Sequence, residues 1–253
     1  MKTAKLLVIL STPVLLLLLE SFMLWPRFLI GAELVAVFWI IFLVRFLARQ
    51  SSLGKKWWLH ALLPGLLFLS LSFCGAILVN QWLIQIVFLF LLIFLARYFN
   101  VLYGFFVKND LKQIERLPNF SLSGGLLLVF VSISDIYSLQ VFVSWSTWAI
   151  FGLSILFLLL ITYHNWQICQ LNIKNNLSLY LIVNLLLLQT IAILFFWPFN
   201  YQVLALVVTL IYYVLINCTR LYLSASLTKE KVRLYLLFSG LAFIFLILSA
   251  RWL

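Results

Sequence analysis

Long apolar runs separated by short polar connections organise the chain, at residues 6–25, 28–47, 57–79, 82–103, 122–142, 145–163, 177–199, 203–223 and 232–253. Each is close to the about 20 residues that a helix needs to cross ~30 Å of hydrocarbon. Arg97 interrupts the fourth run, but residues 98–106 continue it, so one longer helix is expected there. No run alternates apolar and polar positions with period two, which argues against a transmembrane barrel. Backbone groups in hydrocarbon find no water and must bond within their own segment, as a helix allows. The pattern therefore predicts an all-α fold, a polytopic integral membrane helical bundle of about nine transmembrane helices. It forms one transmembrane domain over residues 1–253.

The connections are short, so no extramembrane domain is expected on either face. The longest lies around residues 108–121. There Leu111, Ile114 and Leu117 recur every three residues among Asp110, Lys112, Glu115 and Arg116, and Pro118 follows. This spacing predicts a short amphipathic helix lying in the interface and ended by Pro118. Lys112 and Arg116 would attract anionic lipid, at ~1 kcal/mol per charge near the surface, and anchoring is the role expected of them. Lys2 and Lys5 precede the first run, as they would in a secretory signal. Its length, Pro13, Glu20 and the lack of an Ala-x-Ala site favour an uncleaved first span.

Composition narrows the class. Hydrophobic residues make up 66% of the chain, against ~45–50% in a soluble globular protein. Charged residues are 9%, against a usual ~25%. Polar surface could not cover such a chain in water. A net charge of +11 would by itself raise nucleic acid as a partner. The placement of the basic residues gives another account. Lys2, Lys5, Arg45, Arg49, Lys55, Lys56, Arg97, Lys108, Lys112, Arg116, Lys174, Arg220, Lys229, Lys231 and Arg233 fall on one side of the expected spans. Only Arg27 and Arg251 fall on the other. Lys and Arg accumulate in cytoplasmic connections, so the N-terminus is expected in the cytoplasm and the C-terminus outside. The basicity then needs no nucleic acid.

Motifs that carry chemistry are missing. There is no Gly-x-x-x-x-Gly-Lys-Ser/Thr loop, no His-Glu-x-x-His, no Asp-rich diphosphate site and no Gly-x-Ser-x-Gly. No cofactor and no metal are expected. His60 and His164 sit near helix ends, where packing or capping accounts for them. Cys74, Cys169 and Cys218 are far apart, in or beside apolar runs, where free cysteine acts as a small hydrophobe.

What remains is a set of acids inside apolar runs. Glu20, Glu33 and Asp135 would each cost ~2.5–3.5 kcal/mol on insertion scales. By the charge asymmetry all three fall in the outer half of the membrane, with Arg27 in the first turn as the natural counter-ion. Asp135 shares a helix face with Gly124, Ser132 and Ser138, a small and polar face unsuited to lipid. Glu20, Arg27, Glu33, Ser132, Asp135 and Ser138 thus form the candidate intramembrane polar site. Its functional reading is an outward-opening cavity for a substrate or a proton-coupled step. Its structural reading is snorkelling by Glu20 and Glu33, with Asp135 as a buried hydrogen-bonded contact between helices. Gly31, Ala32, Ala36, Gly124 and Gly125 are expected to allow close helix approach.

Two stretches echo one another, 1–79 and 177–253. Trp25-Pro26 opens a span leading to the basic connection Ser51 to Lys56, and Gly65 follows. Trp197-Pro198 likewise opens a span leading to Ser226 to Lys231, and Gly240 follows. A parallel internal repeat would produce this, as would chance between leucine-rich helices. Trp197-Pro198, Tyr212-Tyr213, Arg220, Leu227-Thr228-Lys229, Tyr235 and Arg251-Trp252 resemble a family of bacterial multi-span membrane proteins catalogued as a domain of unknown function. The similarity covers roughly the C-terminal 80 residues and rests on interface residues. It implies a bacterial inner-membrane location and carries over no activity. Three functions stay open. A carrier for a small or lipid-like solute is favoured because the chain is nearly all membrane. A membrane-embedded enzyme of envelope lipid or glycan assembly and a non-catalytic scaffold are the alternatives.

Overall fold

The computed structural model describes residues 2–51, 56–77, 81–169, 171, 175–197 and 200–249. Several expected features lie outside these residues: the basic stretch 52–55, Lys174, Pro198 and Arg251-Trp252. The described chain is all helical: α1 (Lys2–Leu24), α2 (Leu29–Arg49), α3 (Trp57–Ile77), α4 (Gln81–Tyr103), α5 (Leu111–Val143), α6 (Thr147–Ile168), α7 (Leu177–Leu194), α8 (Tyr201–Leu223) and α9 (Lys229–Ser249). Helices α1 to α8 are each long and apolar enough to cross a membrane. The ninth expected span corresponds to α9.

Two compact units make up the chain, Met1–Gly124 and Gly125–Leu253, and the division falls inside α5. In the first unit α1 packs on α2 and α4, and α3 packs on α2 and α4, so the four helices close a ring. Their buried side chains follow helical spacing. On α1 these are Ala4, Val8, Ser11, Leu15 and Leu19; on α2 they are Ala32, Ala36, Ile40, Leu43, Val44, Leu47 and Ala48. Ala32 and Ala36 thus face a neighbouring helix, whereas Gly31 is exposed with open space around it.

After α4 the backbone widens into a π-turn, Gly104–Lys108, and Asn109 takes a left-handed conformation at φ 50°. Asn tolerates that conformation better than most residues. The chain then folds back as α5. Gly104 makes this return possible, since a Cβ there would stand 2.5 Å from Gln113 Cγ. The separate interfacial helix ended by Pro118 is not what forms. Pro118 sits inside one continuous 33-residue helix. An interior proline costs about 3 kcal/mol or more, and packing on both sides of it opposes that cost. Leu117 is buried, and Phe120 stacks on Phe94 at 5.0 Å and lies 6.2 Å from Tyr98.

In the second unit α6 packs on α7, α7 on α8, and α8 on α9. Helix α9 forms the edge of this row, and none of its described side chains is fully buried. The second half of α5 joins α7 where the Tyr137 hydroxyl donates to the Ile191 carbonyl at 3.2 Å.

Candidate functional site

The six expected site residues divide between the units. Glu20, Arg27 and Glu33 belong to the first, and Ser132, Asp135 and Ser138 to the second. Glu33 is half-buried on α2, and its Oε1 accepts a hydrogen bond from Ser72 Oγ on α3 at 2.9 Å. The same hydroxyl lies 2.9 Å from the Leu69 carbonyl, so a single proton serves two acceptors. Its partner is therefore a hydroxyl, while Arg27 stands exposed on the 3-10 turn Pro26–Phe28 and Glu20 is half-buried on α1. His60 packs its ring against Phe105 and Phe106, at 5.4 and 5.2 Å.

Asp135 is 7% exposed, and every residue from Val131 to Ser138 is buried. The helix at this level has no exposed side. Ser138 Oγ donates to the backbone carbonyl of Asp135 at 2.6 Å, so it does not serve the carboxyl. Among the described residues, no side chain hydrogen-bonds or ion-pairs with the Asp135 carboxyl.

A second polar layer in the same unit carries no formal charge, and it is the larger one. Thr162, Asn165 and Trp166 on α6, Asn184 on α7 and Tyr212 on α8 are each at most 3% exposed. Asn165 Nδ2 donates to the Tyr212 hydroxyl at 2.6 Å. Thr162, one turn before Asn165, lies beside that hydroxyl without hydrogen-bond geometry. Tyr180 on α7 donates to the Leu159 carbonyl at 3.0 Å, and its ring meets Trp166 edge-on at 5.3 Å. Asn184 Nδ2 turns back to the Tyr180 carbonyl at 2.8 Å. These bonds use the donors and leave acceptors over. Thr162 Oγ1, Asn165 Oδ1 and Asn184 Oδ1 are buried without a partner, as is the donor Trp166 Nε1.

Glycine positions this layer. A Cβ on Gly125 of α5 would run into the Asn165 amide, so only glycine lets α5 approach α6 here. Gly124, the neighbouring residue, faces Phe94 and Leu63 at comparably short range, inside the first unit. Close approach at both glycines agrees with the sequence expectation.

The sequence pointed to the acids and passed over these neutral groups. A signal was available: Thr162, Asn165 and Cys169 recur at i, i+3 and i+7 from the end of the sixth apolar run onward, and Tyr180 and Asn184 at i and i+4 inside the seventh. Among the described residues no three His, Cys, Asp or Glu side chains gather as a metal site. Comparison of the chain with protein-family models, curated proteins and solved structures gives no match.

Proposed function

We propose that the chain is a multi-pass membrane carrier for a small polar or lipid-like solute, bound among the buried polar groups of the second unit. The supporting observation is the set Thr162 Oγ1, Asn165 Oδ1, Trp166 Nε1 and Asn184 Oδ1, all buried and without a hydrogen-bond partner. An unpaired polar group removed from water costs about 1–3 kcal/mol, and nearly all such groups in folded proteins are satisfied. A solute offering both donors and acceptors would offset that cost. Asp135 lies ten residues along α5 from Gly125, about 15 Å at the helical rise. The unit thus has polar stations at two depths, as a route across a bilayer requires. On this reading the N-terminus is cytoplasmic, by the charge asymmetry, and the membrane is a bacterial inner membrane, by the C-terminal resemblance.

Thr162→Val tests the reading, because it removes a hydroxyl that has no partner while keeping the shape. Native mass spectrometry of the purified full chain should find a small non-protein mass on wild type and none on Thr162→Val. The thermal midpoint should stay level or rise. The released compound, loaded into proteoliposomes, should exchange across the bilayer with wild type only. A destabilised Thr162→Val, with no mass retained by wild type, would make the layer a structural one.

A further inference from the structure

The first unit carries a basic cleft of about 520 Å³ where α5 folds back along α4. It is lined by Arg97, Asn100 and Val101 from α4 and by Gln113, Arg116, Asn119, Phe120 and Ser123 from α5. That volume is within the ~300–1,000 Å³ of small-molecule sites. Two guanidinium groups share the cleft, and among the described residues no acidic side chain lines it. Like charges held together disfavour an empty site and favour an anion, and Arg presents paired N–H donors matched to phosphate oxygens. Asn100 Nδ2 donates to the Ala96 carbonyl at 2.9 Å, which leaves its amide oxygen to accept from a hydroxyl on the ligand.

The rest of the α4 surface says which kind of anion. Ile86, Phe90 and Ile93 are 61%, 54% and 49% exposed. At i, i+4 and i+7 they form one stripe, which continues through Arg97 and Asn100 on the same face. From Ile86 to Arg97 the stripe runs about 16 Å at the helical rise. An exposed apolar strip leading into a pair of arginines has the shape of an amphiphile: chains along the strip, phosphate at its end. A soluble phosphate would have no use for the strip. Lys112 does not line the cleft; it is exposed on the first turn of α5, where its N–H is capped by Asp110 Oδ1.

We propose that the α4–α5 cleft binds the phosphate of an anionic phospholipid between Arg97 and Arg116, with the acyl chains lying on Ile86, Phe90 and Ile93. In this proposal Arg97 joins Arg116 in the role that the sequence expectation gave to Lys112 and Arg116. This site is separate from the polar layers of the second unit, and it stands or falls independently of the carrier reading.

The test uses the full chain, reconstituted in phosphatidylcholine nanodiscs with phosphatidylglycerol added in steps and read by native mass spectrometry after release. Wild type should retain phosphatidylglycerol over phosphatidylcholine. Arg97→Gln with Arg116→Gln should weaken retention roughly thirtyfold, the effect of two charges at an anionic surface. Arg97→Lys with Arg116→Lys, which keeps the charges, should fall between. Lys112→Gln should retain lipid as wild type does, and all variants should keep the wild-type thermal midpoint. Three results would overturn the proposal. The first is a double Gln variant that retains lipid like wild type. The second is a Lys112→Gln variant that loses as much, which would reduce the effect to general surface charge. The third is millimolar inorganic phosphate displacing the lipid, which would make the ligand a soluble anion.

Discussion

The Asn165 side-chain amide donates to the Tyr212 hydroxyl across 2.6 Å, tying α6 to α8 between residues that are 1% and 0% exposed. Removing the acceptor leaves a buried N–H without a partner, which costs about 1–3 kcal/mol. Tyr212→Phe should therefore lower the thermal midpoint of the protein in detergent. Asn165→Leu in the Tyr212→Phe background should recover part of the loss, because neither polar group is then stranded. Additive losses from the two changes would mean the bond contributes nothing.

Gly125→Ala should destabilise the protein, because its Cβ would enter the Asn165 amide. Overpacking of this kind costs about 1–3 kcal/mol. Gly152 on α6 is the control, with nothing within 4 Å of the Cβ position. Gly152→Ala should be neutral or stabilising by up to about 1 kcal/mol, from the helix preference of alanine. Equal melting of the two variants would remove the steric account of the α5–α6 approach.

Much of the fold was legible because its signal is one of length and hydropathy, and those properties are local. Each apolar run became a helix, and residues 98–106 did extend the fourth. Pro118 misled because a proline is read locally, whereas Phe120 stacking on Phe94 is a contact across 26 residues that no local pattern contains. The candidate site was legible only in part. A carboxylate in an apolar run is conspicuous, so Glu33 and Asp135 stood out. A threonine, two asparagines and a tyrosine are common enough in membrane helices that only folding reveals them on converging faces. Which of their atoms stay unpaired depends on where the main chain takes up the donors, as at the Tyr180 carbonyl, and spacing does not encode that.

Cys169 caps α6, just beyond its apolar stretch, and burial pushes its thiol up, with Arg220 nearby acting the other way. The thiolate is the reactive form, and burial favours the neutral thiol. With Cys74 and Cys218 replaced by serine, alkylation of Cys169 at neutral pH should be slower than that of an unburied thiol such as glutathione. The rate should keep climbing with pH beyond the point where the free thiol levels off. Arg220→Gln removes the opposing influence and should slow the reaction further. A rate equal to the free thiol at neutral pH would place Cys169 in water.

Asp135 is the last and sharpest case. Residues 131–138 are all buried, and Ser138 spends its proton on the main chain. A carboxyl with no described partner gives little to stability, and that separates its two readings. Asp135→Asn keeps the volume and shape, so the protein should insert normally and melt within about 2–4 °C of wild type, the shift that ~1 kcal/mol produces at this size. If the carboxyl handles a solute or a proton, retention of the solute mass and its exchange in proteoliposomes should be lost in the same preparation. If Asp135 instead holds helices together through a contact that the amide can also make, both stability and exchange should survive Asp135→Asn, and Asp135→Leu should lower both. Loss of stability and exchange together in the Asn variant would count against the site, because a group that only serves a solute is not needed for the fold.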